Sequence, residues 1–387
     1  MSEHVDGKLA TRRDRGVVRA AHPVAFPLVS AVPGPVHRVP GLGVVVKDAA
    51  LLRGVLMDTA HFTKNGPGAP SELWTPVLGP RVLLNMEGAE HHALRRQLAP
   101  LFSPSFVDGF VAESLGAATR GLAGALAAGE SVDLVAHARR GASHVISRLV
   151  GLEEGRFDDA MFARVSAVTG YVTLARPRLG SRQLASARAI LGELGEHASR
   201  AYAGDESTVP GRMRALGLDE REALGAVGAF VLTGTETIVS YLPRLVALLV
   251  DSGWHARIAS DPSRGALDAA IAEGLRVTTP SPVMLRAVTA PTSIGQVAVR
   301  PGDRVILGTY WADTALGAFD PEGNPSASLK QLWFGAGAHY CLGAPLAMAQ
   351  IRLALDALLA HPGLRVERRR AARGVLIPSY AELVVRA

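Results

Sequence analysis

One cysteine, Cys341, stands in a chain of 387 residues. A disulfide framework is therefore excluded, and so is a zinc site built on CxxC pairs. Lysine is scarce as well. Lys8, Lys47, Lys64 and Lys330 are the only ones among 41 basic residues, and the rest are arginine. The net charge of +6 is spread along the chain without the long basic runs of a nucleic-acid binder. The densest cluster, Arg365 to Arg373, reads as a solvated face. The N-terminus, MSEHVDGKLATRRDRG, lacks an apolar core, so neither a leader peptide nor a membrane anchor is expected. The most apolar stretch, Leu224 to Val250, is interrupted by Glu236, Pro243 and Arg244, which argues against a bilayer span. A reducing, cytoplasmic setting is the expectation. No G-x-S-x-G and no H-E-x-x-H occurs, so a serine hydrolase and a zinc protease are unsupported. His4-Val5-Asp6 has the spacing of a non-heme iron site, but it lies at the extreme end of the chain.

What is present is apolar and helical. Hydrophobic residues make up 48% and charged residues 20%, enough for a large core. Residues 1–45 are rich in Pro, Gly and Val and read as irregular chain with short strands, flexible over 1–20. From about 87 to 275 the pattern is helical. Leu224, Val227, Val231, Gly234, Ile238, Tyr241 and Leu245 step by 3 and 4 along one face of a long helix. Pro243 has no N–H to offer residue 239, so a kink or end is expected there. A helix from Gly265 to Val277 precedes alternating strands over 283–307, a long loop over 312–332, a helix from Ala344 to Ala360 and terminal strands over 364–385.

Four segments carry chemistry. In the first, Phe334-Gly335-Ala336-Gly337-Ala338-His339-Tyr340-Cys341-Leu342-Gly343, the sole cysteine lies among three glycines just before a helix. A helix N-terminus and free N–H groups stabilise a negative sulfur, which is what a thiolate metal ligand needs. A dinucleotide fingerprint fails because Tyr340 stands where its last glycine is required. In the second, Glu273-Gly274-Leu275-Arg276, i,i+3 spacing lets the two charges pair on one helix face. The third, Glu90 to Arg96, places His91 and Arg95 one turn apart. The fourth, Thr233-Gly234-Thr235-Glu236-Thr237-Ile238, sets an acid and three alcohols into an apolar helix, where each buried polar group needs a partner.

Taken in order, these segments resemble the signatures of the cytochrome P-450 family, and the resemblance runs from about residue 20 to the end. The cysteine segment matches the heme-binding signature F-G-x-G-x-H-x-C-x-G at every fixed position. The resemblance implies the mainly α cytochrome P-450 fold in one domain over residues 1–387, a large helical region with a small β-rich region and heme b between them. It implies Cys341 as the metal ligand, with Phe334, Gly335 and Gly343 shaping its loop. It further implies His91, Arg95, Arg286 and His339 as propionate partners, where bidentate Arg–carboxylate bonding suits arginine. Glu273 and Arg276 become the structural ion pair of the family's E-x-x-R. The loop that usually supplies its third partner departs from the pattern around Ala318-Phe319-Asp320-Pro321. Glu236 and Thr237 become the acid–alcohol pair for proton delivery, although Thr233 and Ile238 depart from the usual residues.

The implied activity is O2-dependent monooxygenation, most simply hydroxylation, of a mainly apolar small molecule in bacterial secondary metabolism. Electrons would come from NAD(P)H through a separate ferredoxin reductase and ferredoxin, which would meet a face including Arg96 and Arg352. Atypical chemistry on the same fold and a non-catalytic heme sensor are the alternatives. Matching family regions offers Phe230, Thr233, Val283, Met284, Leu285 and Tyr380 as substrate contacts. Trp74, Leu83, Leu84, Tyr171, Leu174 and the turn from Ile377 stand beside them.

Overall fold

Asp6 starts the first helix by accepting the N–H of Leu9 at 2.8 Å. The computed structural model of the chain describes residues 6–153, 155–170, 179–261 and 264–387. Its first half runs α1 (Gly7–Ala21), α2 (Ala25–Ala31), β1 (Val36–Val39), β2 (Gly43–Val46), α3 (Ala49–Met57), β3 (Phe62–Thr63), α4 (Pro70–Leu78), α5 (Gly88–Leu98), α6 (Pro104–Ala127), β4 (Val132–Asp133) and α7 (Leu134–Val150). The central helices follow: α8 (Asp159–Gly170), α9 (Ser181–Ala203), α10 (Val209–Ala215), α11 (Glu220–Gly234), α12 (Glu236–Asp251), α13 (Trp254–Ser260) and α14 (Arg264–Val277). The last part holds β5 (Met284–Val288), β6 (Thr292–Ile294), β7 (Val297–Val299), β8 (Arg304–Leu307), α15 (Thr309–Thr314), α16 (Ala344–Leu359), β9 (Arg365–Ala371) and β10 (Tyr380–Arg386). The strands form a mixed sheet in the order β1-β2-β8-β5-β3, a smaller sheet β4-β10-β9 and the hairpin β6-β7.

The N-terminus corrects the sequence reading. Residues 7–21 are helical rather than flexible, because Ala10, Asp14, Val17, Val18 and Ala21 form one buried face. The arginines on the other face mask that pattern, and the buried acid breaks it. Asp14 holds Arg244 through two bonds of 2.7 Å, and both side chains are almost fully buried. Such a pair offsets its desolvation only when the geometry is bidentate, as here.

The long helix also differs from expectation. It breaks at Thr235, between α11 and α12, and passes through Pro243 uninterrupted. The hydroxyls of Thr233, Thr235 and Thr237 donate to the carbonyls of Ala229, Val231 and Thr233 at 2.8, 2.8 and 3.0 Å. These bonds compete with the backbone ladder, and the Thr235 N–H reaches Val231 O only at 3.4 Å. At Pro243, packing of α12 against α1, α7, α13 and α14 overrides the local break. The stretch Glu220–Asp251 is long and apolar enough for a bilayer, but most of its surface is buried in the protein.

Glu273 and Arg276 lie fully buried on α14. Arg276 Nε donates to Glu273 Oε2 at 2.7 Å, and its Nη atoms bond Asp313 O at 2.7 Å and Gly317 O at 2.9 Å. Glu273 Oε1 accepts the Asp320 N–H at 3.0 Å and Asn324 Nδ2 at 2.7 Å. Asn324 also donates to Ala318 O at 2.6 Å. The third partner of the pair is therefore an amide, Asn324, which ties the irregular segment 313–324 to α14. Beside it, burial pushes the Asp313 carboxyl up to about 8, against the opposing effects of the Thr279 hydroxyl and Arg276.

Candidate active site

The cysteine loop folds tightly before α16. Gly335 (φ +81°) and Gly337 (φ +66°) occupy the left-handed region that favours glycine. A Cβ on Gly337 would lie 2.8 Å from Leu56 O, so the loop can rest on α3 only with hydrogen at that position. The Cys341 N–H donates to Phe334 O at 2.9 Å, which closes the loop, and the Phe334 ring meets Tyr340 edge-on at 6.1 Å. Cys341 is exposed, although surrounding protein desolvates its sulfur. Burial pushes the thiol up, while the N–H of Gly343, the Arg95 charge and the N–H of Ala344 pull it down. Exclusion of water thus favours the thiol, and the helix start and arginine favour the thiolate.

Next to the sulfur is a nest of cations. His91 on α5 is 1% exposed, and its ring centroid lies 4.4 Å from that of His339. His91 Nδ1 has no hydrogen-bond partner. Burial, then the charges of His339, Lys64, Arg95 and His92, pushes His91 down to about 4. Arg95, one turn along, is close enough to Cys341 and Tyr340 to feel their charge. Arg286 on β5 donates to Leu285 O at 2.8 Å, and burial lowers it to about 10. His91, Arg95, Arg286 and His339 are thus brought into one cluster, with Arg95 within reach of the Cys341 charge.

Two further members escaped the sequence reading. Lys64 follows β3 and is 9% exposed. Glu87, just before α5, accepts the Lys64 N–H at 2.6 Å and the Thr63 hydroxyl, and lies 3.6 Å from His339 Nε2. Burial alone would raise Glu87, but the hydrogen bonds from His339, Lys64 and Thr63 hold it down to about 2. The one available signal for Lys64 is its rarity in a chain that otherwise uses arginine. Nothing in the spacing marks Glu87.

The acid–alcohol segment lies at the junction of α11 and α12, and α12 packs on α16, the helix that follows the cysteine loop. Thr233 is exposed and Thr237 half-buried on one face, whereas Thr235 on the opposite face is fully buried. Glu236 accepts a hydrogen bond from Ser166 on α8. Burial raises its pKa, and Ser166 and Arg139 oppose that rise.

Several expected substrate contacts are placed elsewhere. The Phe230 ring stacks on Phe102 at 5.5 Å and is occupied with core packing. Strand alternation splits Val283, Met284 and Leu285. Met284 packs on the main core, while Val283 and Leu285 pack on a separate apolar cluster with Val45 and Ile306. Those two line a cleft of about 200 Å³ together with Leu73 and Ile377. Tyr380 is buried beside Arg369, Asp14 and Arg244, so it belongs to the N-terminal ion-pair network. Trp74, Leu83 and Leu84 are half-buried against the main core. Tyr171 and Leu174 lie outside the described residues.

The residues present fit a flat, dianionic, thiolate-ligated cofactor. Cys341 is exposed, the nearby basic cluster holds an unpartnered buried imidazole nitrogen on His91, and Lys64, Arg95 and Arg286 gather with the single carboxylate of Glu87. Among the described residues no group of three His, Cys, Asp or Glu side chains is assembled to hold a metal by itself. The cluster therefore matches a metal that brings its own equatorial ligands, as heme iron does.

Comparison with known proteins agrees. Residues 263–371 match the family model described as cytochrome P-450. The chain is similar to the erythromycin C-12 hydroxylase of Saccharopolyspora erythraea, with 31% identity over 334 residues and 81% of each chain covered. It is also similar to the mycinamicin IV hydroxylase/epoxidase of Micromonospora griseorubida, with 29% identity over 328 residues, 78% of this chain and 79% of that one. A solved structure of a mutant of P-450 EryK in complex with erythromycin B superposes with a TM-score of 0.77 and 25% identity, covering 95% of this chain and 97% of that one. The chain belongs to the cytochrome P-450 family and is a bacterial-type monooxygenase that uses heme and dioxygen.

Proposed function

We propose that Cys341 supplies the axial thiolate and that His91, Arg95, Arg286 and His339 hold the two propionates of heme b. The observation that carries this reading is the exposed Cys341 beside an uncompensated cluster of buried cations. When bound, heme supplies the iron centre at which dioxygen is activated, and a thiolate ligand favours O–O cleavage. The protein's own residues position, exclude water and carry protons. Thr237 Oγ1 rests on Thr233 O at 3.0 Å and can turn its hydroxyl toward the heme site. Glu236, held by Ser166, is the acid that resupplies the proton. Thr233, one turn before Thr237, offers a second hydroxyl on the same face.

The substrate is a mainly apolar small molecule of secondary metabolism, of the kind named for the two hydroxylase relatives. Thr233, exposed on its helix face, is its contact in this reading. Electrons pass from NAD(P)H through a separate reductase and a ferredoxin. The exposed Arg96 can receive an acidic carrier, with charge mainly setting the on-rate. Arg352 is paired with Asp268 at 3.0 Å and is a weaker candidate. The whole chain acts as one catalytic domain in the cytoplasm.

The test combines binding and coupling. Candidate substrates are screened for the Soret shift that follows displacement of a heme-bound water. With a ligand in hand, product per NAD(P)H consumed is measured with a surrogate ferredoxin pair. A positioned proton donor typically contributes about 10²–10⁴-fold. Thr237→Ala is therefore expected to bind substrate normally but release hydrogen peroxide in place of product. The Thr233→Ala/Thr237→Ala double variant should be worse. Wild-type coupling in both variants would remove these threonines from the proton path.

A further inference from the structure

We propose that the ammonium of Lys64 binds a heme carboxylate beside Arg286, as an additional anchor that this chain adds to the four residues above. The inference rests on the propionate reading. It starts from strand register. In the β3–β5 pairing Phe62 stands opposite Val288 and Thr63 opposite Ala287. The next step along both strands sets Lys64 against Arg286.

Lys64 is nearly fully buried, and a buried lysine normally has an anionic partner. The nearest acid is Glu87, but its carboxylate is already engaged by the Lys64 backbone N–H, the Thr63 hydroxyl and His339. Among the described residues no ion pair reaches the ammonium of Lys64, nor Arg95 or Arg286. Glu87 thus fixes the backbone from which Lys64 projects and leaves its ammonium unmatched.

Charge counting gives the missing partner. Arg95 and Arg286, with Lys64 when protonated, outnumber the single carboxylate of Glu87 by up to two positive charges. Two carboxylates neutralise them. His91 and His339 also face Lys64, but burial keeps both lowered, so they add little charge near neutral pH.

The pKa of Lys64 is that of a buried ammonium without a matched carboxylate. Burial first, then the Arg286 charge, lowers it to about 7, with Glu87 acting the other way. A bound carboxylate would raise it again. The ammonium's contribution to heme binding is then complete below about pH 7 and disappears as pH rises through the raised value.

The experiment is heme transfer from the ferric holoprotein to excess apomyoglobin. Lys64→Met keeps the side-chain volume and removes a desolvated charge, so the fold is not endangered. It is expected to lose heme about tenfold faster, the effect of one charge-assisted hydrogen bond. The carbonyl complex should keep its thiolate band, and Lys64→Arg should restore slow release. The decisive arm is reconstitution with heme dimethyl ester, whose carboxylates are blocked. There, wild type and Lys64→Met should release heme at the same rate. Equal rates with ordinary heme, or a difference that persists with the ester, would overturn the proposal. Arg286→Met in parallel separates the two readings. If it shows the ester-dependent loss and Lys64→Met does not, only Lys64 is removed. If neither does, the propionate reading falls with it.

Discussion

Cys341→Ala is expected to abolish the red-shifted carbonyl band of reduced holoprotein and with it all product formation. The argument rests on scarcity and geometry together. Cys341 is the only thiol in the chain, so no second sulfur can replace it. Its loop is held by its own backbone, through the Cys341 N–H to Phe334 O at 2.9 Å and the left-handed Gly335 and Gly337. Neither feature needs the sulfur atom. The variant should therefore fold, with helix content unchanged by circular dichroism. Heme retained through the cation cluster alone would show the carbonyl band of a non-thiolate ligand. A thiolate-type band in Cys341→Ala would refute the axial assignment outright.

The site's chemistry was largely written in local spacing, and what escaped was assembled from distant strands. His91 and Arg95 are one helical turn apart, and His339 sits within the cysteine loop, so each belongs to a readable segment. Lys64 and Glu87 meet through a strand end and a helix start 23 residues apart, and only the fold places them together. The substrate contacts offered by the family match are dispersed for a related reason. Val283, Met284 and Leu285 are consecutive, and a strand sends neighbours to opposite faces. Phe230, offered by the same match, lies in a cross-helix ring stack with Phe102.

The fold shows the same division. Helices with a continuous apolar stripe, α14 and α16, start and stop close to where the sequence puts them. Periodicity failed where a buried charge replaced an apolar residue. In α1, Asp14 occupies a core position, and its partner Arg244 is 230 residues away. The break in the long helix was assigned to the residue with the stronger local rule. Pro243 has no N–H to donate, but α12 is buried on several sides and packing holds it together. Thr235 carries a weaker local preference, yet three hydroxyls in succession return to the backbone and open the ladder there.

Glu273→Ala is expected to prevent stable folding with heme, because its carboxylate joins more of the chain than any helix-surface pair would. It receives Arg276 from its own helix in a fully buried pair, and the Asp320 N–H and the Asn324 amide at the half-buried edge. Removing it strands the Arg276 guanidinium in a fully buried site. Breaking a buried pair in this way costs about 3–5 kcal/mol, out of a total stability of about 5–15 kcal/mol for a typical domain. The segment from Asp313 to Asn324 would also lose its anchor, and that segment leads into the cysteine loop. Two milder variants grade the argument. Glu273→Gln keeps an acceptor for Asn324 and Asp320 but not the charge, so it should fall between wild type and Glu273→Ala. Asn324→Ala removes one hydrogen bond to a charged group, worth about 1.5–3 kcal/mol, and should lower the denaturation midpoint while retaining heme. Heme content after gel filtration and the midpoint of chemical unfolding measure all three. A heme-loaded Glu273→Ala protein with the wild-type midpoint would show that the pair does not hold this segment in place.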